Sequence, residues 1–496
     1  MSSVINTISA VSSADILLIS PLIVLFLFSL IPISTKVLRG NVEQSPTATI
    51  LETLIGLSIA AALLIIFEGS GLDKSPTAFS GHLIFDGVTQ WMGLIAIIGA
   101  AGGLIMMYEN PATKGKQFSE LVFLALNSVV GMLIMVSAID LITIFIGLEL
   151  MSLSLYLMVA MSHEQKFSKE AAIKYFVLGS FASAIFLYGI SFVFGSTGSV
   201  NIVDMIETGA DLIRTNKLFM FGISFVTLGF CFKVSIVPFH AWTPDVYQGA
   251  PTPITAFMAT AVKTVSFAAF IRVLATKTLV GSESLFLVLQ WLAVLTMTAG
   301  NVAALLQTNF KRTLAYSSIS HSGYILVGAI TTGISDNSAF GASGVVFYLL
   351  AYTLMTLGAF AIVSLIEKNE NSSVQTEDLA GFAKRQPLLG LCLTIFLLSL
   401  AGIPPMIGFF GKFYLFSAAV NEGLLWLALW GVINSVISVY YYLRPIIYMY
   451  MREGDCDVAD EKHFGTTILV VVLALLILVF GLASGPLFSM IELGMT

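Results

Sequence analysis

GFCFKVSIVPFHAWTPDVYQGAPTP (229–253) and LLSLAGIPPMIGFFGKFYLF (397–416) decide how this chain folds. Both are apolar enough to lie in a bilayer, and both carry proline where a helix cannot run on. Proline lacks the backbone N–H and its ring collides with the preceding turn, so each helix breaks, near Pro238 and near Pro404–Pro405. Non-helical backbone at bilayer depth is tolerated only where it is buried in protein or lines a cavity. The similar runs SIVPF and AGIPP therefore mark two matched interruptions inside a membrane protein.

The rest of the chain agrees with a polytopic all-α membrane protein. Of its 496 residues 57% are hydrophobic and 10% charged, with a mean hydropathy of +0.94, against about 25% charged residues in a soluble domain. A spanning helix takes about 20 apolar residues. About 14 stretches qualify: 12–34, 48–68, 84–107, 118–137, 141–161, 170–195, 216–248, 253–275, 283–307, 312–332, 341–366, 387–419, 424–450 and 464–490. An even count puts both termini on one side. Fourteen basic residues, Lys311 among them, then fall in the odd-numbered loops and five in the even ones. The positive-inside rule places the odd loops in the cytoplasm and both termini outside.

The broken spans are the seventh and the twelfth, an odd number apart. Spans 4–8 and 9–13 thus form two five-helix units inverted to one another, a common transporter plan. The expected divisions are a three-helix segment at 1–112, repeats at 113–278 and 279–455, and a closing helix at 456–496.

Several function classes drop out. The three cysteines, Cys231, Cys392 and Cys456, are far apart and form no CxxC pair, so neither an iron–sulfur cluster nor a zinc site is expected. Neither GxGxxG after a strand nor GxxxxGK[ST] occurs. No basic cluster suggests nucleic acid, and the N-terminus lacks the basic region of a cleaved signal peptide.

What remains is a set of charges in apolar surroundings: Glu149, Lys174, Lys233, Lys263 and Lys412. On the insertion scale each costs about 2.5–3.5 kcal/mol at the bilayer centre, so proton movement is the first use to consider. Glu149, in IFIGLELMSLSLY, stands about 12 Å into its helix, too deep for a glutamate to reach the surface. Lys174 is its natural partner on the next span, and an ion pair that opens and closes would be a proton switch. Lys233 lies five residues before Pro238, where freed carbonyls can solvate an ammonium. Lys263 is about 15 Å past Pro253 and near mid-bilayer. Lys412 follows the second break by seven residues. For Lys174 and Lys412 the competing reading is a side chain that snorkels to the interface. His240, just past the first break, and His321, in the hydroxyl-rich YSSISHSGY, are further candidates for a relay, or packing residues. His163 and His463 read as solvated loop residues, and Asp140 as an exposed boundary residue.

VPFHAWTPDVYQGAPTPITAF (237–257) resembles the signature of the antiporter-like membrane subunits of bacterial respiratory complex I, the proton-pumping NADH:quinone oxidoreductase. That family also includes the multisubunit Na⁺/H⁺ antiporters, and the YQGAPTP wording is closest to the N-type subunits. The resemblance covers essentially the whole chain. It implies that Glu149 and Lys174 form a switching pair on helices 5 and 6. It makes Lys233 the central lysine of helix 7, Lys263 that of helix 8, and Lys412 the helix 12 lysine near the outer exit. It implies no flavin, iron–sulfur cluster, quinone or NADH in this chain, all of which belong to partner subunits. It implies as neighbours the antiporter-like paralogues, small helical subunits and the lipid of a bacterial inner membrane. Larger relatives carry a long lateral C-terminal helix, and the SGPLFSMIELGMT ending is expected to lack it.

The expected function is proton translocation driven by quinone reduction in other subunits. Three other readings stay open: a Na⁺/H⁺ antiporter subunit, a secondary transporter of an organic solute, and a passive scaffold whose charges only pair.

Overall fold

The computed structural model describes residues 12–40, 42–43, 45–69, 76–113, 117–161, 166–274, 283–334, 338–368, 373–459 and 463–495. His163 and the loop lysines Lys74, Lys114, Lys116, Lys277 and Lys462 lie outside them. Every expected span is occupied by helix, and the expected interruptions at 238 and 404–405 are found where the prolines place them. Eleven helices among the described residues are long and apolar enough to cross a membrane. Three expected spans fall outside that count for physical reasons. Phe310–Ile334 has 25 residues but is rich in hydroxyls, and the other two are each divided into shorter pieces.

The first broken helix runs Lys217–Lys233 and resumes as Trp242–Gly249, and the second runs Pro387–Ala401 and resumes as Ile407–Asn421. The two breaks share a local geometry. Ser235 and Gly402 have positive φ, +60° and +84°, and in each case the cis X-Pro bond completes three residues on, at Pro238 and Pro405. Trp242 Nε1 donates back across the first break to the Phe232 carbonyl at 2.9 Å.

Two helices run through the protein interior. Thr252–Leu274 and Ala339–Ile366 are buried along their whole spanning windows. The former is rich in alanine and threonine, whose small side chains let neighbouring backbones come close. Elsewhere glycines set the approach. A Cβ at Gly131 would stand 2.6 Å from Met151 N, and one at Gly147 would stand 2.7 Å from Gly131 O, so the helices Phe118–Ser137 and Leu141–Ala160 touch backbone to backbone. Many large apolar side chains on the outer helices are exposed, Phe181, Tyr188, Leu429 and Val436 among them, as a lipid-facing wall requires.

Two elements were not foreseen. Ile202–Thr215 is an amphipathic helix between the sixth and seventh spans, and Thr77–Ala78 pairs with Leu83–Ile84 as a short antiparallel hairpin. Three side chains read as solvated are buried. Asp140 caps the Leu141–Ala160 helix through Thr143 N at 2.8 Å and faces His82 at 3.1 Å. His463 is buried beside the start of the Phe464–Leu482 helix. Lys311, counted as a loop charge, is 5% exposed. It donates to the Ala250 carbonyl at 2.7 Å and lies 3.9 Å from Glu367.

Candidate functional site

Ionisable groups gather in two places, one at each break. At the first, Lys233 is the last residue of its half-helix, where carbonyls lack intrahelical partners. Its ammonium is buried, donating to Ser152 Oγ at 2.7 Å with Tyr156 OH at 3.4 Å. Both partners come from the Leu141–Ala160 helix, which also carries Glu149. That carboxylate is half-buried, accepts from Ser183 Oγ, and is close enough to Lys233 for the two charges to interact. An aromatic column holds this corner: Tyr156 meets Tyr175 edge-on at 4.7 Å, and Tyr175 stacks on Trp242 at 4.8 Å.

At the second place three elements meet. Lys263 begins the Lys263–Leu274 helix directly after a five-residue π-helical segment, Met258–Val262, a distortion common at functional sites. It donates to the Ser318 carbonyl at 2.5 Å and to Ser318 Oγ, and its ammonium lies 5.1 Å above the Tyr352 ring. Tyr352 OH donates to the same Ser318 Oγ at 2.8 Å. One turn on, His321 is buried between two phenols. Its Nδ1 is 2.5 Å from Tyr348 OH and its Nε2 is 3.0 Å from Tyr442 OH.

Lys412 completes this group. Its ammonium donates to Leu400 O at 3.1 Å, Ala401 O at 3.0 Å and Ser435 Oγ at 2.8 Å, and stands 5.1 Å over the Tyr324 ring. Leu400 and Ala401 end the first half of the broken helix, so the cation occupies the negative end of a helix dipole. At 4% exposure it does not snorkel. Lys263 and Lys412 are both near enough to His321 for their charges to act on it. Beside Lys412 a cavity of about 520 Å³ opens between Phe409, Phe413, Leu429 and Val432.

Two expectations meet a different arrangement. Lys174 does not touch Glu149: it pairs with Glu170 and Asp245, each at 2.8 Å. Ser183, which holds Glu149, lies nine residues beyond Lys174, about 13 Å along the helix axis, more than two side chains comfortably span. His240 stands at the first break, partly exposed, with Nδ1 buried and unpartnered. No hydrogen bond among the described residues joins it to either cluster.

Sequence reasoning missed two features. One is the buried set of Lys311, Glu367, Thr252, Asn110 and Ser364, in which Glu367 accepts from Thr252 Oγ1 at 2.6 Å and from Asn110 Nδ2 at 3.0 Å. The other is Asp245. Its signal lay in the matched breaks, since Asp245 follows Ser235 by the same ten residues that separate Lys412 from Gly402.

Residues 138–438 match the family described as NADH:quinone oxidoreductase/Mrp antiporter, TM. NADH-quinone oxidoreductase subunit N of Bdellovibrio bacteriovorus is 66% identical over 479 residues, covering 97% of this chain and 98% of that protein. The subunit N of Trichlorobacter lovleyi is 43% identical, with 78% of each chain covered. A chain of respiratory complex I from Thermus thermophilus superposes with a TM-score of 0.80 at 33% identity, over 95% of this chain and 98% of that one. A chain of the Mrp complex from Dietzia sp. DQ12-45-1b gives 0.81 at 20% identity, covering 95% and 96%, a likeness of fold alone. With identity this high along nearly the full length, and both broken helices and their lysines inside the matched region, the chain belongs to the NADH-quinone oxidoreductase subunit N family.

Proposed function

We propose that this chain is a membrane-arm subunit of a proton-pumping NADH:quinone oxidoreductase and carries protons on Glu149, Lys233, Lys263 and Lys412. The redox chemistry, with its flavin, iron–sulfur clusters and quinone, belongs to other subunits. In this reading the chain crosses a bacterial inner membrane about 14 times with both termini outside. The units 113–278 and 279–455 are inverted repeats, each contributing one break, and 1–112 and 456–496 flank them.

One observation carries the reading. Among the described residues, Lys233, Lys263 and Lys412 form no ion pair, although each is at most 4% exposed. A scaffold would neutralise buried charges with carboxylates, because an unpaired buried ion is costly. Hydroxyls and carbonyls surround these three instead. A neutral amine keeps two of the ammonium's three donors, enough for the two partners of Lys233 and of Lys263. At Lys412 the two donors serve the Leu400 and Ala401 carbonyls, and the Ser435 hydroxyl can turn to donate to the amine lone pair. Protons pass from the Glu149–Lys233 cluster to Lys263, on through Ser318, His321 and the phenols, and leave from Lys412. Lys174 acts on the first cluster from outside it.

The test is Lys233→Ala and Glu149→Ala in the assembled complex. We expect quinone-linked turnover and proton uptake to fall by about tenfold or more at normal complex content. Wild-type turnover in both variants would contradict the assignment.

A further inference from the structure

Asn301 lies fully buried on the Glu283–Leu305 helix, and its side-chain amide bonds to two other helices. Nδ2 donates to the Tyr324 hydroxyl at 3.1 Å, on the Phe310–Ile334 helix. It also donates to Asn434 O at 3.0 Å and Asn434 Oδ1 at 3.2 Å, on the Leu425–Met451 helix. Oδ1 accepts from the Tyr441 hydroxyl at 2.9 Å, on that same helix. The preceding glycine permits the approach: a Cβ at Gly300 would stand 2.6 Å from Ser320 N, so two of the three helices touch backbone to backbone beside the amide.

Both phenols lead to the second lysine cluster. Tyr324 is the ring beneath Lys412, and it meets His321 edge-on at 5.7 Å and Phe416 at 6.0 Å. Among the described residues, Asn301 makes the one hydrogen bond to its hydroxyl. Tyr441 packs on Tyr442 at 4.4 Å, and the Tyr442 hydroxyl meets His321 Nε2 at 3.0 Å. The amide has one orientation. The Asn434 main-chain carbonyl only accepts, so the NH₂ group faces it and Oδ1 faces Tyr441. Tyr441 therefore commits its proton to Asn301 and offers only lone pairs towards Tyr442. A ring face attracts an ammonium and not a neutral amine, so the place of the Tyr324 ring bears on how readily Lys412 takes and releases a proton.

We propose that Asn301 is a positioning residue for proton release, fixing through one amide the ring beneath Lys412 and the direction of the hydrogen bonds that reach His321. The inference rests on the proton-translocating reading above. Asn301 carries no proton itself: its nitrogen only donates and its oxygen only accepts. Without the amide, Tyr324 loses the bond that holds its hydroxyl, and Tyr441 is free to turn its proton towards Tyr442.

The test compares Asn301→Ala, Tyr324→Phe and the double variant in the full complex in membrane vesicles, with proton uptake expressed per assembled complex. Tyr324→Phe keeps the ring and loses only the hydroxyl that Asn301 holds. Each single variant should lower uptake several-fold, and the double should be no slower than Asn301→Ala, because both changes remove the same bond. The pH dependence of uptake should also change in both single variants, since the ring acts on one protonation state of Lys412 and not on the other. A loss of packing alone would scale the rate equally at every pH. Wild-type uptake in either single variant, losses that multiply in the double, or an unchanged pH dependence would overturn the proposal. If Asn301→Ala fails to assemble, Tyr324→Phe decides by its rate and its pH dependence. Lys412→Ala is measured alongside. If it is impaired while the two single variants are not, only the positioning role fails. If it too takes up protons at the wild-type rate, the proton-translocating reading fails with it.

Discussion

The side chain of Lys412 lies across Gly402. A Cβ at Gly402 would stand 3.1 Å from Lys412 Cδ and 3.2 Å from Nζ, and the glycine holds φ +84°. The same residue that lets the second helix break thus leaves room for the cation that uses the break.

Gly402→Ala should therefore impair twice. The left-handed backbone costs an alanine about 1–2 kcal/mol, and the methyl group pushes the ammonium off Leu400 O and Ala401 O. We expect less thermostable complex and a proton-uptake rate that falls further than complex content does. A loss of content with unchanged uptake per complex would show that Lys412 does not depend on this contact.

The buried Glu367 set predicts an asymmetry between single and double variants. Lys311→Ala leaves a buried carboxylate without its cation, a change worth about 3–5 kcal/mol when a buried pair is broken. Lys311→Met with Glu367→Gln removes both charges and keeps donors and acceptors for Thr252 and Asn110. Complex content in membranes should be low for the single variant and substantially recovered in the double. Equal loss in both would mean that packing, not charge, governs the site.

At the other end of the interior helix, Arg272 clasps Asp86 at 2.5 and 2.9 Å, and Asp86 caps the Gly87–Glu109 helix. Burial alone would raise the Asp86 carboxyl. Arg272 and the bonds from Thr89 outweigh it and hold the group below its ordinary value. The sign follows: a carboxyl depressed in the folded state stabilises fully above the ordinary carboxylate value, near pH 4, and loses that contribution as pH falls through the folded value. Thermal inactivation should accelerate below about pH 4. Asp86→Asn should be less stable at neutral pH and show a smaller acid effect. An unchanged acid profile in Asp86→Asn would remove this pair as the cause.

Ser318→Ala tests the hub beneath Lys263. The variant keeps the carbonyl that accepts from Lys263 and loses the hydroxyl shared with Tyr352. Uptake should fall while assembly holds, and less severely than in Lys263→Ala. A wild-type rate would take the hydroxyl out of the path.

How legible all this was depended on the type of signal. Apolar length and proline are strong signals in a membrane chain, so the spans and both breaks could be read directly. The Ile202–Thr215 helix was missed because it buries only one face, on Ile202, Met205 and Ile213, and never forms an apolar run. Lys311 was misplaced because a charge at a span boundary looks like a loop charge until its neighbours from distant segments are known. Glu149 and Lys174 were paired because adjacent helices were known and their axial offset was not. The hydroxyls of 317–324 were visible in the sequence, but only the fold shows that Ser318 serves Lys263 and that His321 sits between Tyr348 and Tyr442. Asp245 was readable by aligning the two breaks, a comparison that proline alone does not prompt.

The central claim is that unpaired buried lysines carry protons through this chain, and Lys263, bonded to Ser318 of the Phe310–Ile334 helix, tests it most directly. The decisive measurement is the initial rate of proton uptake into vesicles by Lys263→Ala complex, at equal complex content and with NADH-driven quinone reduction followed in parallel. The account predicts a fall of about tenfold or more with normal assembly. A wild-type uptake rate would contradict it.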